Sequence, residues 1–339
     1  MEFSVSEINN EGVLYVLKCF KPLTAVAFMF SGFAAAADTN WDMATPFGAN
    51  NFHTLNITQF AEDIQAATEG DLVITVHPAG SLVKHAEVKN AVRSGQVPIG
   101  EFFLSRLSNE DPIYAIDSIP FLAADYASAE RLWSASRDKV TELLAEQGLM
   151  PLFAVPWPPQ GIYANVELET IEGLQGIKFR AYNPSTERLA QLAGAVPTQI
   201  EASDIAQAFS TGRVDAMITS PSTGANSKAW DFLSHYHNTQ AWLPKNVVVV
   251  NIEAFEALSA EVQDAILEAA ATAEARGWEA SRNETTIKTQ ILADNGLVVI
   301  TPSDSLMSTM QSIGETMTSE WLESTGSDGQ AIIDTFNAD

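Results

Sequence analysis

The sequence predicts an α/β protein of two domains, with a ligand cleft between them and long bracing helices. Three observations carry that expectation. The 339 residues exceed what one hydrophobic core commonly organises. Short apolar runs alternate with helical patterns in both halves, the rhythm of βαβ units. A long helical pattern near the C-terminus is sized to span both domains. The boundaries read as 1–37 for a leader, 38–155 for the first domain, 156–255 for the second, and 256–339 for the bracing helix and a C-terminal segment that returns to both.

The leader comes first. Leu23 to Phe33 is an apolar run preceded by Lys18 and Lys21 and followed by Ala34 to Ala37, the pattern of a signal peptide cut near Ala37. The run is about half of the roughly 20 residues a membrane span requires. Glu2, Glu7 and Glu11 make an acidic start, so initiation near Val13 or Val16 is an alternative. Cleavage removes Cys19, the single cysteine, which leaves neither an intrachain disulfide nor a thiolate metal site and suits an oxidising periplasm.

Trp41 to Ala44 is a short apolar segment; after the loop Thr45–His53, Leu55, Ile57, Phe60, Ile64 and Ala67 recur at helical spacing, and Gly70 ends the helix. Leu72–Val76 alternates as a strand, Lys84–Arg93 reads as a helix stopped at Gly95, and Val97–Leu104 as another strand, so a parallel sheet is expected. Helix Ser128–Gln147, with Leu132, Trp133, Val140 and Leu144 inward, ends at Gly148 before strand Met150–Val155. Trp157, Pro158 and Pro159 interrupt regular structure. The second half repeats the alternation: strand Gly176–Ala181, helix Ser185–Leu192, strand Ala195–Ile200, helix Asp204–Ser210, strand Ala216–Thr219. Strand Val247–Asn251, a long helix capped by Ser259 and running towards Trp278, strand Leu297–Ile300 and helix Ser303–Leu322 complete the chain.

Acidic residues outnumber basic ones 43 to 18, for a formal charge of −25. Nucleic acid and anionic membrane surfaces repel such a chain, and with no further apolar run the cleaved protein has no stable membrane insertion. No cofactor or metal is expected. His235-Tyr236-His237 offers two imidazoles without a third ligand at metal spacing and reads as a polar surface turn. Ser220 before Pro221 lacks a Gly-x-Ser-x-Gly elbow, and Gly70, Gly80 and Gly95 are too far apart to cradle a pyrophosphate. Enzymatic readings such as a periplasmic hydrolase therefore rank below binding.

Gly173 to Pro221 joins a GxKxR strand at Gly176, Lys178 and Arg180 to a Leu-Ala-Gly-Ala-x-Pro turn at Leu192–Pro197, and then to Gly212 and Val214-Asp215 before the next strand. This stretch, with IDSIPFL at Ile116–Leu122, resembles the solute-binding proteins of tripartite ATP-independent periplasmic (TRAP) transporters, the DctP-like family. The resemblance implies a periplasmic binding protein-like fold that closes over a small organic acid and delivers it to a membrane permease. It also places Arg180 at the family's anion-binding arginine. In one respect the sequence departs from the family: many carboxylate-binding members carry Asn before the Pro at which Ser220 stands here, and a hydroxyl offers less than an amide.

A planar guanidinium matches the two oxygens of a carboxylate; taken by itself Arg180 also reads as a strand-end arginine paired with a surface carboxylate such as Glu172, and the resemblance is what makes it the first candidate. Tyr182 follows two residues later on the same side of an extended chain, Trp157 is stiffened by two prolines and offers a wall, and Ser220 offers a hydroxyl. Phe47 and Asn51 lie in the loop leading to a helix start, where free N–H groups favour anions. Glu101 either faces water or enters the cleft; in the cleft, with Trp157, it makes an amine or zwitterion the alternative ligand. Asn246 offers an amide or serves a turn. A ligand sensor is the alternative to a transporter subunit.

Overall fold

The computed structural model describes residues 39–338. The signal segment, its cleavage near Ala37, and Cys19 lie outside the described residues. Strand β1 (Thr39–Ala44) is followed by α1 (Phe52–Ala67), β2 (Leu72–His77), α2 (Val88–Arg93), β3 (Ile99–Phe103), α3 (Tyr126–Ala145) and β4 (Leu149–Pro156). Next come β5 (Gly161–Ala164), β6 (Lys178–Ala181), α4 (Pro184–Leu192), β7 (Val196–Gln199), α5 (Ile205–Ser210), β8 (Ala216–Thr219), α6 (Pro221–Asn226) and β9 (His235–His237). The chain ends with β10 (Lys245–Asn251), α7 (Ile252–Glu256), α8 (Ala260–Asp294), β11 (Val298–Ile300) and α9 (Asp304–Ala338).

The strands form two mixed sheets, ordered β2-β1-β3-β10-β4 and β11-β9-β5-β8-β6-β7. β1, β2 and β3 run parallel, as the alternation predicts, but β10 enters antiparallel between β3 and β4, so the first sheet is not purely parallel. Residues 156–255 therefore do not stay together: their last strand belongs to the first sheet. All seven residues of β10 are buried, and its run of valines splits by pleat. Val247 and Val249 pack with Val88, Val92, Leu132 and Val140 on one face, while Val248 and Val250 pack with Ile57, Phe60, Ile64 and Ile266 on the other. β4 lies at the sheet edge, where Pro151 and Pro156 leave no central ladder bond unmade, and a register shift sits opposite Pro151 between Val248 and Val249. In the second sheet β6 runs parallel to β7 and β8, while β5 is antiparallel to β8 and β9.

Helix α8 begins where the Ser259 side chain accepts from the Val262 N–H, and it continues past Trp278 to Asp294. At 1.5 Å per residue its 35 residues span about 52 Å. It meets α1 through Asn56 Nδ2 to the Ala273 carbonyl (2.9 Å) and Arg276 to Asp63 (2.9 Å), and the first sheet through Trp278 Nε1 to the Ala154 carbonyl of β4 (3.1 Å). It meets the second sheet's layer where Glu284 accepts from Ser222 of α6. Gly277 is the point of closest approach: a Cβ there would lie 2.3 Å from Val155 Cγ2. Helix α9 outruns the expected end at Leu322 and breaks at Gly326, whose φ of 58° only glycine adopts easily. None of the described helices is long and apolar enough to cross a membrane.

Candidate functional site

A cavity with about 450 Å³ of empty volume, its mouth included, lies at the C-terminal strand ends of both sheets, where open α/β sheets place ligands. Three groups of segments build it. The first sheet supplies Phe47 after β1, His85 before α2, Phe103 ending β3 and Arg106 in the turn beyond it. The second supplies Arg180 of β6, Tyr182, Glu201 and Ala202 after β7, and Thr219, Ser220 and Thr223 at the β8–α6 junction. Two of the three crossings between the sheets, β4–β5 and β9–β10, supply Trp157, Gln160 and Pro244, and they bond to each other through Trp157 N to the Pro244 carbonyl (2.8 Å) and Gln160 N to the Trp242 carbonyl (3.0 Å).

Arg180 is 3% exposed. Its Nε donates to the Ile200 carbonyl at 3.1 Å, its guanidinium lies 5.0 Å from the Tyr182 ring centre, and its buried Nη1 has no hydrogen-bond partner. Burial pushes its pKa down to about 10, with Glu201 and the Tyr182 phenol opposing the shift, so it stays charged at neutral pH. A buried cation with an unmade donor is costly unless something anionic meets it. Tyr182 donates its hydroxyl to Gln160 Oε1 at 3.0 Å, and burial pushes its own pKa upward, which keeps it a donor.

Glu201 faces two basic groups of the other sheet. One oxygen accepts from Arg106 Nη1 at 2.8 Å, and the other lies 3.3 Å from His85 Nδ1. Burial alone would raise the Glu201 pKa, yet the bonds to His85 and Arg106 win and hold it at about 2. His85 Nε2 accepts the Phe103 N–H at 3.2 Å, so Nδ1 carries the proton that points at Glu201. Burial holds the His85 pKa below its ordinary value.

Of the residues singled out in the sequence, Arg180, Tyr182, Trp157, Phe47 and Ser220 line this cavity. Ser220 spends its side chain on capping α6, where Oγ accepts from Thr223 N at 3.1 Å. Asn51 borders a neighbouring groove, and its side chain caps α1 by accepting from His53 N at 2.9 Å, so the helix start is already satisfied. Glu101 and Asn246 stand behind the wall rather than in the cavity lining. Glu101 is 1% exposed, accepts from Thr45 Oγ1 (2.6 Å) and Asn246 Nδ2 (3.0 Å), and lies 3.4 Å from His53 Nδ1. Burial would raise its pKa, but those neighbours hold it below the ordinary carboxylate value. Glu101 thus does not reach the cavity, as an amine site built with Trp157 would require: the carboxylate accepts from Asn246, which in turn accepts from Trp157 Nε1 at 3.0 Å.

His85, Phe103, Arg106, Gln160 and Glu201 were not singled out from the sequence, because four separate segments carry them and no local pattern joins them. The His235–His237 segment is strand β9 rather than a surface turn. His237 is buried, its Nε2 accepting from Leu168 N (2.8 Å) and its Nδ1 lying 3.3 Å from the Ile162 carbonyl. Among the described residues no cluster of His, Cys, Asp and Glu could hold a metal.

Comparison with known proteins agrees with this architecture. The chain is similar to DctP6 of Bordetella pertussis, an extracytoplasmic solute receptor binding pyroglutamic acid, at 41% identity and a TM-score of 0.88 over 89% of this chain and 100% of that one. It is likewise similar to DctP7 of Bordetella pertussis, also a receptor binding pyroglutamic acid (44%, TM-score 0.87, 88% and 99%). A C4-dicarboxylate-binding periplasmic protein of Rhodobacter capsulatus is 24% identical over 248 residues, 70% of this chain and 72% of that protein. Residues 43–324 match the model of bacterial extracellular solute-binding protein family 7, DctP, and the chain belongs to that family of TRAP solute-binding proteins.

Proposed function

We propose that the protein captures a small monocarboxylic acid, with pyroglutamate the leading candidate, and delivers it to a TRAP-type membrane permease after export by its N-terminal signal segment. The observation that carries this reading is Arg180: a buried guanidinium with an unmade Nη1 donor on the wall of a cavity. A carboxylate meeting Nη1 would satisfy that donor and the charge together. Phe47, Phe103 and Trp157 supply apolar walls that exclude water, and Tyr182 and Gln160 supply polar contacts for the rest of a compact ligand. The solved relatives above 40% identity, whose ligand is pyroglutamic acid, favour that acid over larger sugar acids. In this reading the two sheets are the cores of two lobes, and the crossings at 157–160 and 241–244 form the hinge on which they close.

Isothermal titration with pyroglutamate, succinate and glucuronate, paired with recovery of the ligand, tests the proposal. Binding of an acid that is recovered unchanged is expected. Turnover of the ligand, or no heat with any small carboxylate, would refute it.

A further inference from the structure

The charged groups lining the cavity are few enough to count. Arg106, Arg180, Glu201 and His85 face it. Each oxygen of the Glu201 carboxylate has a basic partner, Arg106 Nη1 (2.8 Å) for one and His85 Nδ1 (3.3 Å) for the other. His85 is neutral, since its Nε2 accepts the Phe103 N–H and burial disfavours a second proton. Arg106 and Glu201 therefore cancel, and Arg180, with its orphaned Nη1, is left as a single positive charge. The buried carboxylates Glu101 and Asp117 stand outside the lining, the first accepting from Thr45 and Asn246 and the second from Lys245 N.

We propose that Glu201 is a specificity-determining residue: by neutralising Arg106 it sets the cavity's net charge at +1, so that the site selects singly charged carboxylates and rejects dicarboxylates. The inference rests on the carboxylate reading above and narrows it by charge. A dianion would bring a second carboxylate into a space whose remaining lining is uncharged: Phe47, Phe103 and Trp157 beside the neutral polar groups of Tyr182, Gln160 and Thr219. That group would meet the Glu201 oxygens or find only neutral donors, and burying a second carboxylate without a cation to pair it is unfavourable. Nor does the dianion gain by displacing Glu201 from Arg106. The two residues come from segments of different sheets, so taking Arg106 breaks a link that joins the two sides of the cavity.

The test is a set of charge variants titrated at pH 7.5 with pyroglutamate and with succinate: wild type, Glu201→Gln, Arg106→Gln and the double variant. Wild type is expected to prefer pyroglutamate. Glu201→Gln uncovers Arg106, giving +2, and moves the ratio of dissociation constants at least tenfold towards succinate. Arg106→Gln leaves Glu201 facing Arg180, giving zero, and weakens pyroglutamate at least tenfold. The double variant returns to +1, and although both affinities fall with the loss of the link, the wild-type order of preference returns. A residue that merely holds the cavity shut would weaken both acids by one factor in Glu201→Gln, so an unchanged ratio overturns the inference while leaving the carboxylate function standing. Should Glu201→Gln fail to fold, a double variant that binds no better than Arg106→Gln overturns it equally. A wild-type protein that binds no small carboxylate overturns the function, and the inference with it.

Discussion

The indole of Trp157 donates to Asn246 Oδ1 at 3.0 Å, and the same amide donates from Nδ2 to Glu101 Oε1 at 3.0 Å. A cavity wall is thus anchored to a carboxylate of the sheet behind it. Asn246→Ala strands a buried indole N–H and a buried carboxylate oxygen, at about 1–3 kcal/mol for each group. Chemical denaturation should show the stability loss. Pyroglutamate affinity should fall as well, because Trp157 loses its orientation.

Arg180 behaves in the opposite sense. Its buried donor is unsatisfied without ligand, so Arg180→Ala should leave the melting temperature of the free protein unchanged or higher. The same variant should raise Kd for pyroglutamate at least tenfold, about 1.4 kcal/mol. Arg180→Lys keeps the charge without the planar fork and should recover only part of the affinity. Melting curves with and without pyroglutamate separate the two effects.

Mild acid should destabilise the fold before its carboxylates titrate. His85 and His237 both have pKa values lowered by burial, so the unfolded chain takes up protons that the native state refuses. Their contribution is full above the ordinary histidine pKa and falls as pH drops below it. Urea unfolding at pH 7.5 and 5.5 should show lower stability at 5.5, and His85→Gln should flatten the dependence.

Gly277→Ala sets two effects of α8 against each other. Helix propensity gains roughly 1 kcal/mol, but the new methyl would lie 2.3 Å from Val155 Cγ2 and 2.8 Å from Asn56 Nδ2. Overpacking a buried, β-branched neighbour costs about 1–3 kcal/mol. A lower melting temperature is expected, whereas an exposed helical glycine would give a higher one.

Small-angle scattering should register closure. The crossings at 157–160 and 241–244 are the proposed hinge, so the radius of gyration should shrink when pyroglutamate saturates the protein. An unchanged radius at proven saturation would mean a rigid cleft.

Much of the architecture was legible because periodicity is local. The edges of α1, β2 and β4 fall within a residue or two of where apolar spacing and glycines put them, and Arg180, Tyr182 and Trp157 do share one cavity. What escaped depends on distance along the chain. Nothing in KNVVVVN announces that β10 pairs with β3 and β4 rather than with its neighbours in sequence. Glu101 read as a cleft or surface group because carboxylates are rarely 1% exposed; its burial requires Thr45 and Asn246, which only the fold brings to it. The Arg106–Glu201 pair joins residues 95 positions apart, and no spacing rule reaches that far.

The place of β10 also orders events during synthesis. A ribosome delivers β4 long before β10, and until residue 251 emerges β3 and β4 lack the strand that lies between them. Their facing edges stay open until then. About three quarters of the 339 residues must therefore be made before the first sheet can close, so its assembly waits on the late arrival of one strand.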